Sequence, residues 1–352
     1  MGCDISDLIT AQTIKLEDLK NKKIAIDGNN ILYQFLSSIR QPDGSLLMDS
    51  HGNITAHLSG LFYRTLKWLE NGLLPIFVFD GKPPEFKAKT LLKRTERKEI
   101  ASEKFSLALQ EGDLEQAYKF AQQTSKLSKE MIEESKELLE ALGLPFVQAP
   151  SEGEAQAVYL LKSNYAWGVA SQDYDSLLFG AERLIRYLSF SSKRKLPNKN
   201  IYVSVEPELI NLTKVLDDLK INQRQLIWIG LLVGTDFNQG VKNVGPKTAL
   251  KLVSQSNSFE EIIKKLYLKF PNKKEEIDYS LENWQEIENF FLSPPIETNL
   301  SIVFGDINKE KIFSLLVDKH DFSSERVEKA ISNYESIKKA TKSQSRLDDF
   351  FS

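Results

Sequence analysis

Two short runs of apolar residues, KKIAID (22–27) and LLPIFVFDG (73–81), each stop at an aspartate with glycine close by. A strand covered on both faces reads as such a run because neither side of its pleat meets water, so both are predicted as strands of a parallel sheet. PFVQAP (145–150) and WGVASQD (167–173) repeat the pattern more weakly. Between them GLFYRTLKWLE (60–70) and EAQAVYLLK (154–162) carry the apolar spacing of helices. Strands alternating with helices predict an α/β fold with a mainly parallel central sheet flanked by helices. In such sheets ligands bind beyond the carboxyl ends of the strands.

The stretch from Glu85 to Ala141 breaks this alternation. After Pro83 and Pro84 only Gly112 interrupts it, and Gly143 and Pro145 close it. It predicts two long, highly charged helices hinged near Gly112 and Asp113, too polar to pack wholly into a core and so projecting as an arch over about 82–142.

Carboxylates collect where the predicted strands end or helices open: Asp27, Asp80, Glu152, Glu154, Asp173, Asp175 and, after the apolar LIWIGLLVGTD, Asp236. Singly, each has a structural reading. Ser151 and Glu154 fit a capping box, and Asp175 suits an N-cap. Together at one sheet edge, seven like charges would repel and drive some pKa values upward unless cations neutralised them. Two Mg²⁺ ions, which take oxygen ligands and keep waters for chemistry on phosphates, fit that set.

Composition narrows the partners. The net charge of −3 excludes general affinity for nucleic acid, so any such binding must come from local clusters. Lys82 to Lys104 holds eight basic residues against four acidic ones, and Arg183 to Val205 holds six with no acidic residue. Cys3 is the only cysteine, which rules out an internal disulfide and multi-cysteine zinc sites and suits a reducing intracellular compartment. No apolar run approaches the roughly 20 residues needed to span a bilayer.

The segments DGNNILYQF, VFDGKPPEFK, LLKRTERK, APSEGEAQA, SQDYDSLLFG, LVGTDF and VGPKTA, in this order, closely resemble the flap endonuclease family of structure-specific 5′ nucleases. The resemblance runs from Gly2 to the C-terminus, and the ending soon after Phe351 is similar to the archaeal branch. It implies metal-dependent cleavage of DNA one nucleotide into the duplex beside a 5′ flap, with an associated 5′–3′ exonuclease, in Okazaki-fragment maturation and DNA repair. It implies that the same seven carboxylates hold two Mg²⁺, with Mn²⁺ as a substitute. It places two basic catalytic residues at Lys87 and Arg94 on the first arch helix, where a spacing of seven puts both on one face. Tyr33 matches the stacking tyrosine. Gly2 matches the N-terminal glycine near the active site once Met1 is removed, although Cys3 and Asp4 depart from the usual pattern there. Arg40 joins the implied DNA-binding set.

The resemblance also implies a helix–turn–helix-like element, about 225–260, that grips duplex backbone with a K⁺ ion. NQGVKNVGPKTA (238–249) corresponds to it, with Gly240, Val241, Val244, Gly245 and Lys247 as the implied DNA contacts. Asn243 stands where the family usually has glycine; asparagine tolerates the left-handed backbone, so the turn is expected to survive.

From within the polar stretch SIKKATKSQS (336–345) run Gln344, Leu347, Phe350 and Phe351 in the spacing Q-x-x-L-x-x-F-F. One helical turn presents the three apolar groups together, and the motif resembles the plug that enters a sliding clamp. The expected organisation is therefore a nuclease domain over 1–335 and a flexible clamp-binding tail over 336–352, in a chain that is monomeric when free. A catalytically silent, clamp-tethered DNA-binding scaffold is the alternative from another class, and seven negative charges on a DNA-facing edge count against it. A bubble- or junction-specific repair nuclease of the same superfamily is the nearer alternative; the short arch and the tail motif favour flaps.

Overall fold

Alternate residues of the second strand face opposite layers. Ile24 and Ile26 join a core with Phe77, Phe79 and Ile185, whereas Ala25 joins another with Ile76, Val78 and Val169. That is why KKIAID is apolar without alternation. The computed structural model describes residues 2–41, 44–189, 194–195, 202–203 and 205–351, apart from the side chains at 89, 91, 93, 94, 109, 114, 194–195, 202–203 and 341–351.

The strands are β1 (Gln12–Thr13), β2 (Lys23–Asp27), β3 (Leu74–Phe79), β4 (Phe146–Gln148), β5 (Gly168–Ala170), β6 (Arg183–Arg186), β7 (Arg194–Lys195), β8 (Tyr202–Val203) and β9 (Glu208–Asn211). Seven of them form one sheet in the order β1-β9-β6-β5-β2-β3-β4. The five strands from β6 to β4 are parallel, and β9 and β1 close one side antiparallel. The predicted mainly parallel sheet is therefore present, and β2, the central strand, delivers Asp27 to its carboxyl edge.

The helices that position the site are α1 (Gly28–Ser38), α2 (Ala56–Glu70), α3 (Ala88–Gln110), α4 (Leu114–Ala121), α5 (Lys129–Ala141), α6 (Gly153–Lys162), α7 (Asp175–Leu178), α8 (Leu212–Leu219), α9 (Gln223–Val233) and α10 (Pro246–Ser254). On one face of the sheet α1, α2 and α5 pack with the C-terminal helix Ser324–Phe351, which docks through buried Val327 and Ile331. On the other face lie α6, α7, α9 and α10. None of the helices is long and apolar enough to cross a membrane among the described residues.

The arch differs from the expected pair of long helices. Gly112 does hinge it, at φ +74°. Its second half, however, is two helices, α4 and α5, and α5 belongs to the body, with Leu138 and Leu139 fully buried. The break over 122–128 needs no glycine or proline: Ser128 Oγ accepts from Met131 N and caps α5, an alternative to helical backbone pairing that Ser and Thr offer. The first half begins as a 3₁₀ turn, Glu85–Lys87, before α3.

Candidate active site

Six of the seven predicted carboxylates stand at or just beyond the carboxyl ends of parallel strands or open the helices that follow, and each is fixed by short polar contacts. Asp27 ends β2 and caps α1, its Oδ1 accepting from Asn30 N at 3.0 Å. Asp80 follows β3; its Oδ1 accepts from Gly153 N at 2.7 Å, and its own N–H donates to Asn29 Oδ1 at 3.1 Å. A Cβ on Gly153 would lie 2.8 Å from that same Oδ1, so only glycine lets the start of α6 come this close. Glu152 is the N-cap residue of α6, without a side-chain cap bond, and Glu154 Oε1 accepts from Ser171 Oγ at 2.9 Å and Ser176 Oγ at 3.1 Å. The Ser151–Glu154 capping box is therefore not formed. Asp175 is the first residue of α7, not its cap. Both glutamates are turned to the site instead.

Asp173 accepts from Gly2 N at 3.1 Å and from Asn30 Nδ2 at 2.9 Å. Asp175 accepts from Cys3 N at 2.6 Å and from Asp236 N at 3.4 Å. The N-terminus thus lies across the site as expected for Gly2, with Cys3 using its backbone and burying its thiol, whose pKa burial and Asp175 push upward. Asn29, Asn30, Ser171 and Ser176 were not singled out from the sequence. Two asparagines directly after a strand-ending Asp-Gly were the available signal, because short amides at a helix start bond to neighbouring turns.

Among the described side chains, Lys87 is the cation that reaches in. Its Nζ lies 2.5 Å from Glu152 Oε2 and 3.9 Å from Asp236 Oδ2, and the residue is only 8% exposed. Burial pulls its pKa down, but Glu152, Asp236 and Asp80 more than offset this, and it stays protonated. Arg94 lies on α3, and its side chain is outside the described residues.

Among the described residues, one ammonium faces these carboxylates. Burial and Asp80 raise the Asp27 carboxyl well above its ordinary value. Burial, Asp175 and Asp27 do the same to Glu154. Burial, Asp236 and Asp173 lift Asp175 to about 8. Burial also raises Glu152 against the pull of Lys87. These carboxyls repel one another, and their donors are all hard carboxylate oxygens, so divalent ions of the Mg²⁺ class fit. Among the described residues no three of these groups close on one point.

Around this centre, Tyr33 is 39% exposed, with Lys98 of α3 4.8 Å from its ring centroid. Arg40 is held locally, donating to Gly44 O at 2.9 Å and Ser125 Oγ at 2.8 Å. Between α9 and α10, Gly240 and Asn243 both take φ of +68°, so asparagine does hold the left-handed turn. Gly245 caps α10 with open space beside it. Val241 and Val244 are buried and offer only backbone there, while Lys247 lies 3.7 Å from Asp7. The side chains of Gln344, Leu347, Phe350 and Phe351 lie outside the described residues, as does most of the basic stretch 190–204.

The chain matches the XPG N-terminal domain over residues 5–101 and the XPG I-region over residues 143–236. It is 49% identical over 354 residues to the flap endonuclease 1 of Pyrococcus furiosus, covering 100% of this chain and 99% of that one. The solved flap endonuclease-1 from Methanococcus jannaschii superposes with a TM-score of 0.73 at 42% identity, covering 96% of this chain and 98% of that chain. The catalytic core of Rad2, solved in complex with DNA substrate, shares the fold with a TM-score of 0.69 at 23% identity, covering 95% of this chain and all of that one. Nucleases carrying these XPG regions are metal-dependent in general. With its carboxylate edge, its arch and full-length identity of this order, the chain belongs to the flap endonuclease 1 family of XPG-type nucleases.

Proposed function

We propose that the protein hydrolyses the DNA phosphodiester one nucleotide into the duplex beside a 5′ flap, with two Mg²⁺ ions held by Asp27, Asp80, Glu152, Glu154, Asp173, Asp175 and Asp236. The observation that carries this reading is the meeting of these buried and half-buried carboxylates with Lys87 at the carboxyl edge of the sheet. Bound there, the ions supply a hydroxide at neutral pH and charge for the departing 3′ oxygen. Lys87 keeps its proton and adds fixed positive charge where the phosphoryl group becomes more negative. Arg94, two helical turns on, is the second such group. Asn30, Ser171, Ser176 and the Gly2 and Cys3 amides hold the carboxylates in place, so that little rearrangement is needed when the substrate arrives.

The neighbouring surfaces fit the same substrate. Tyr33 offers a ring to an unpaired base. The turn from Gly240 to Gly245 and Lys247 offer backbone and charge to duplex phosphates, with K⁺ at the turn. The tail from Gln344 to Phe351 tethers the enzyme to a sliding clamp, and the free enzyme is a monomer. The test is cleavage of a 5′-labelled double-flap DNA with and without Mg²⁺, beside bubble and four-way-junction substrates. Mg²⁺-dependent incision that is fastest on the double flap is expected; preference for bubbles or junctions would assign the protein to the other branch.

A further inference from the structure

Asp173 and Asp175 are held at their carboxylates by Gly2, Asn30, Cys3 and Asp236. The backbone of their turn and the residue between them, Tyr174, have a different partner. Arg186, the last residue of β6, donates from Nε to Gln172 O at 3.2 Å and from Nη1 to Tyr174 Oη. Its guanidinium carbon lies 4.1 Å from the Tyr174 ring centroid and 4.8 Å from that of Tyr187. Tyr174 itself is 8% exposed. Tyr187 takes φ +60°, a backbone conformation that a bulky side chain keeps only where its surroundings enforce it. That kink directly follows the strand and lays the second ring on the guanidinium.

We propose that Arg186 is a positioning residue for the metal site: clasped between the Tyr174 and Tyr187 rings and bonded to the Gln172 carbonyl, it fixes the turn that aims Asp173 and Asp175. The inference rests on reading those carboxylates as metal ligands. Arginine suits the task because its planar, permanently charged group stacks on aromatic faces while its N–H donors stay in plane for hydrogen bonds; lysine can do only part of this. The brace stands on a rigid element, since β6 pairs in parallel with β5 at Ala170↔Ile185, immediately before the turn. Groups that orient metal ligands from behind carry about 10- to 100-fold of metal affinity.

The test is calorimetric titration of Mn²⁺ into the DNA-free, full-length protein, with flap-DNA affinity in EDTA measured in parallel. Arg186→Met is expected to weaken Mn²⁺ binding by about 10-fold or more, Arg186→Lys to recover part of that loss, and DNA affinity in EDTA to change little. Unchanged Mn²⁺ affinity in Arg186→Met would overturn the proposal, and a loss confined to DNA affinity would make Arg186 a DNA contact instead. Should Arg186→Met fail to fold, Arg186→Lys and Tyr174→Leu decide, since each removes part of the clasp and wild-type Mn²⁺ affinity in both would overturn the proposal. A wild-type protein that binds no Mn²⁺, or binds it equally well as Asp173→Ala, is a separate result, in which the metal reading fails and takes this inference with it.

Discussion

In the metal-free protein, Asp175→Asn should stabilise the fold at pH 8 and leave it nearly unchanged at pH 5. The Asp175 carboxyl is buried and stands at about 8 against an ordinary 3.8, because of burial and then Asp236 and Asp173. A carboxyl whose pKa is raised by folding contributes fully below its unfolded value and loses that contribution as pH rises towards the folded one. The window therefore runs from about pH 4 to about pH 8. At 1.36 kcal/mol per pH unit, ionising Asp175 in place would cost about 5–6 kcal/mol. Asp173 and Asp236 share the repulsion, and asparagine loses the 3.4 Å bond from Asp236 N, worth about 1 kcal/mol. We therefore expect a net gain of about 2–4 kcal/mol at pH 8. Denaturant unfolding in EDTA at pH 5 and pH 8 measures it. A variant no more stable than wild type at pH 8, or a gain of equal size at both pH values, would refute the claim that these carboxyls repel one another.

Three further outcomes follow from the same geometry. Lys87→Ala should slow single-turnover cleavage by about 10²–10³, or about 3–4 kcal/mol, with DNA affinity changed far less; a loss seen only in affinity would make Lys87 a binding contact. Gly2→Ala would put a Cβ 2.9 Å from Asp175 Cγ and 3.0 Å from Asp173 Cβ, and displacement of the two ligands should lower the single-turnover rate by at least about tenfold; a wild-type rate would show that the N-terminus yields freely. A chain ending at Ser343, or the Phe350→Ala, Phe351→Ala double variant, should cut flaps normally alone yet lose clamp binding, at ~2 kcal/mol or more per aromatic anchor; calorimetry against the cognate clamp that returned near-normal affinity would exclude the tail as tether.

The sheet and the carboxylates that end its strands were legible because burial on both faces writes uninterrupted apolar runs, and because Asp27, Asp80 and Asp173 stand where those runs stop. The two antiparallel additions were not, since β1 has two exposed residues and β9 is short and half-covered. The arch misled in one respect. Charge density and the lack of glycine suggested a single long second helix, but Ser128 caps a new one and the apolar stripe of α5 docks it on the body. Capping logic misled at Ser151–Glu154 and Asp175, where the competing partners Ser171, Ser176, Cys3 and Asp236 come from distant parts of the chain. Lys87 was legible as a basic group. Its place inside the carboxylate cluster was not, because that depends on the 3₁₀ turn packing Phe86 edge-on against Phe237 and Phe290.

The central claim is that the carboxylates at the sheet edge form a metal site that performs the hydrolysis and is not needed to hold DNA. Single-turnover cleavage of a double-flap DNA in Mg²⁺ by Asp80→Ala and Asp173→Ala, with flap binding in Ca²⁺ measured on the same preparations, tests it most directly. The account predicts that cleavage is abolished while binding stays close to wild type; Mg²⁺-dependent cleavage retained in either variant would contradict it.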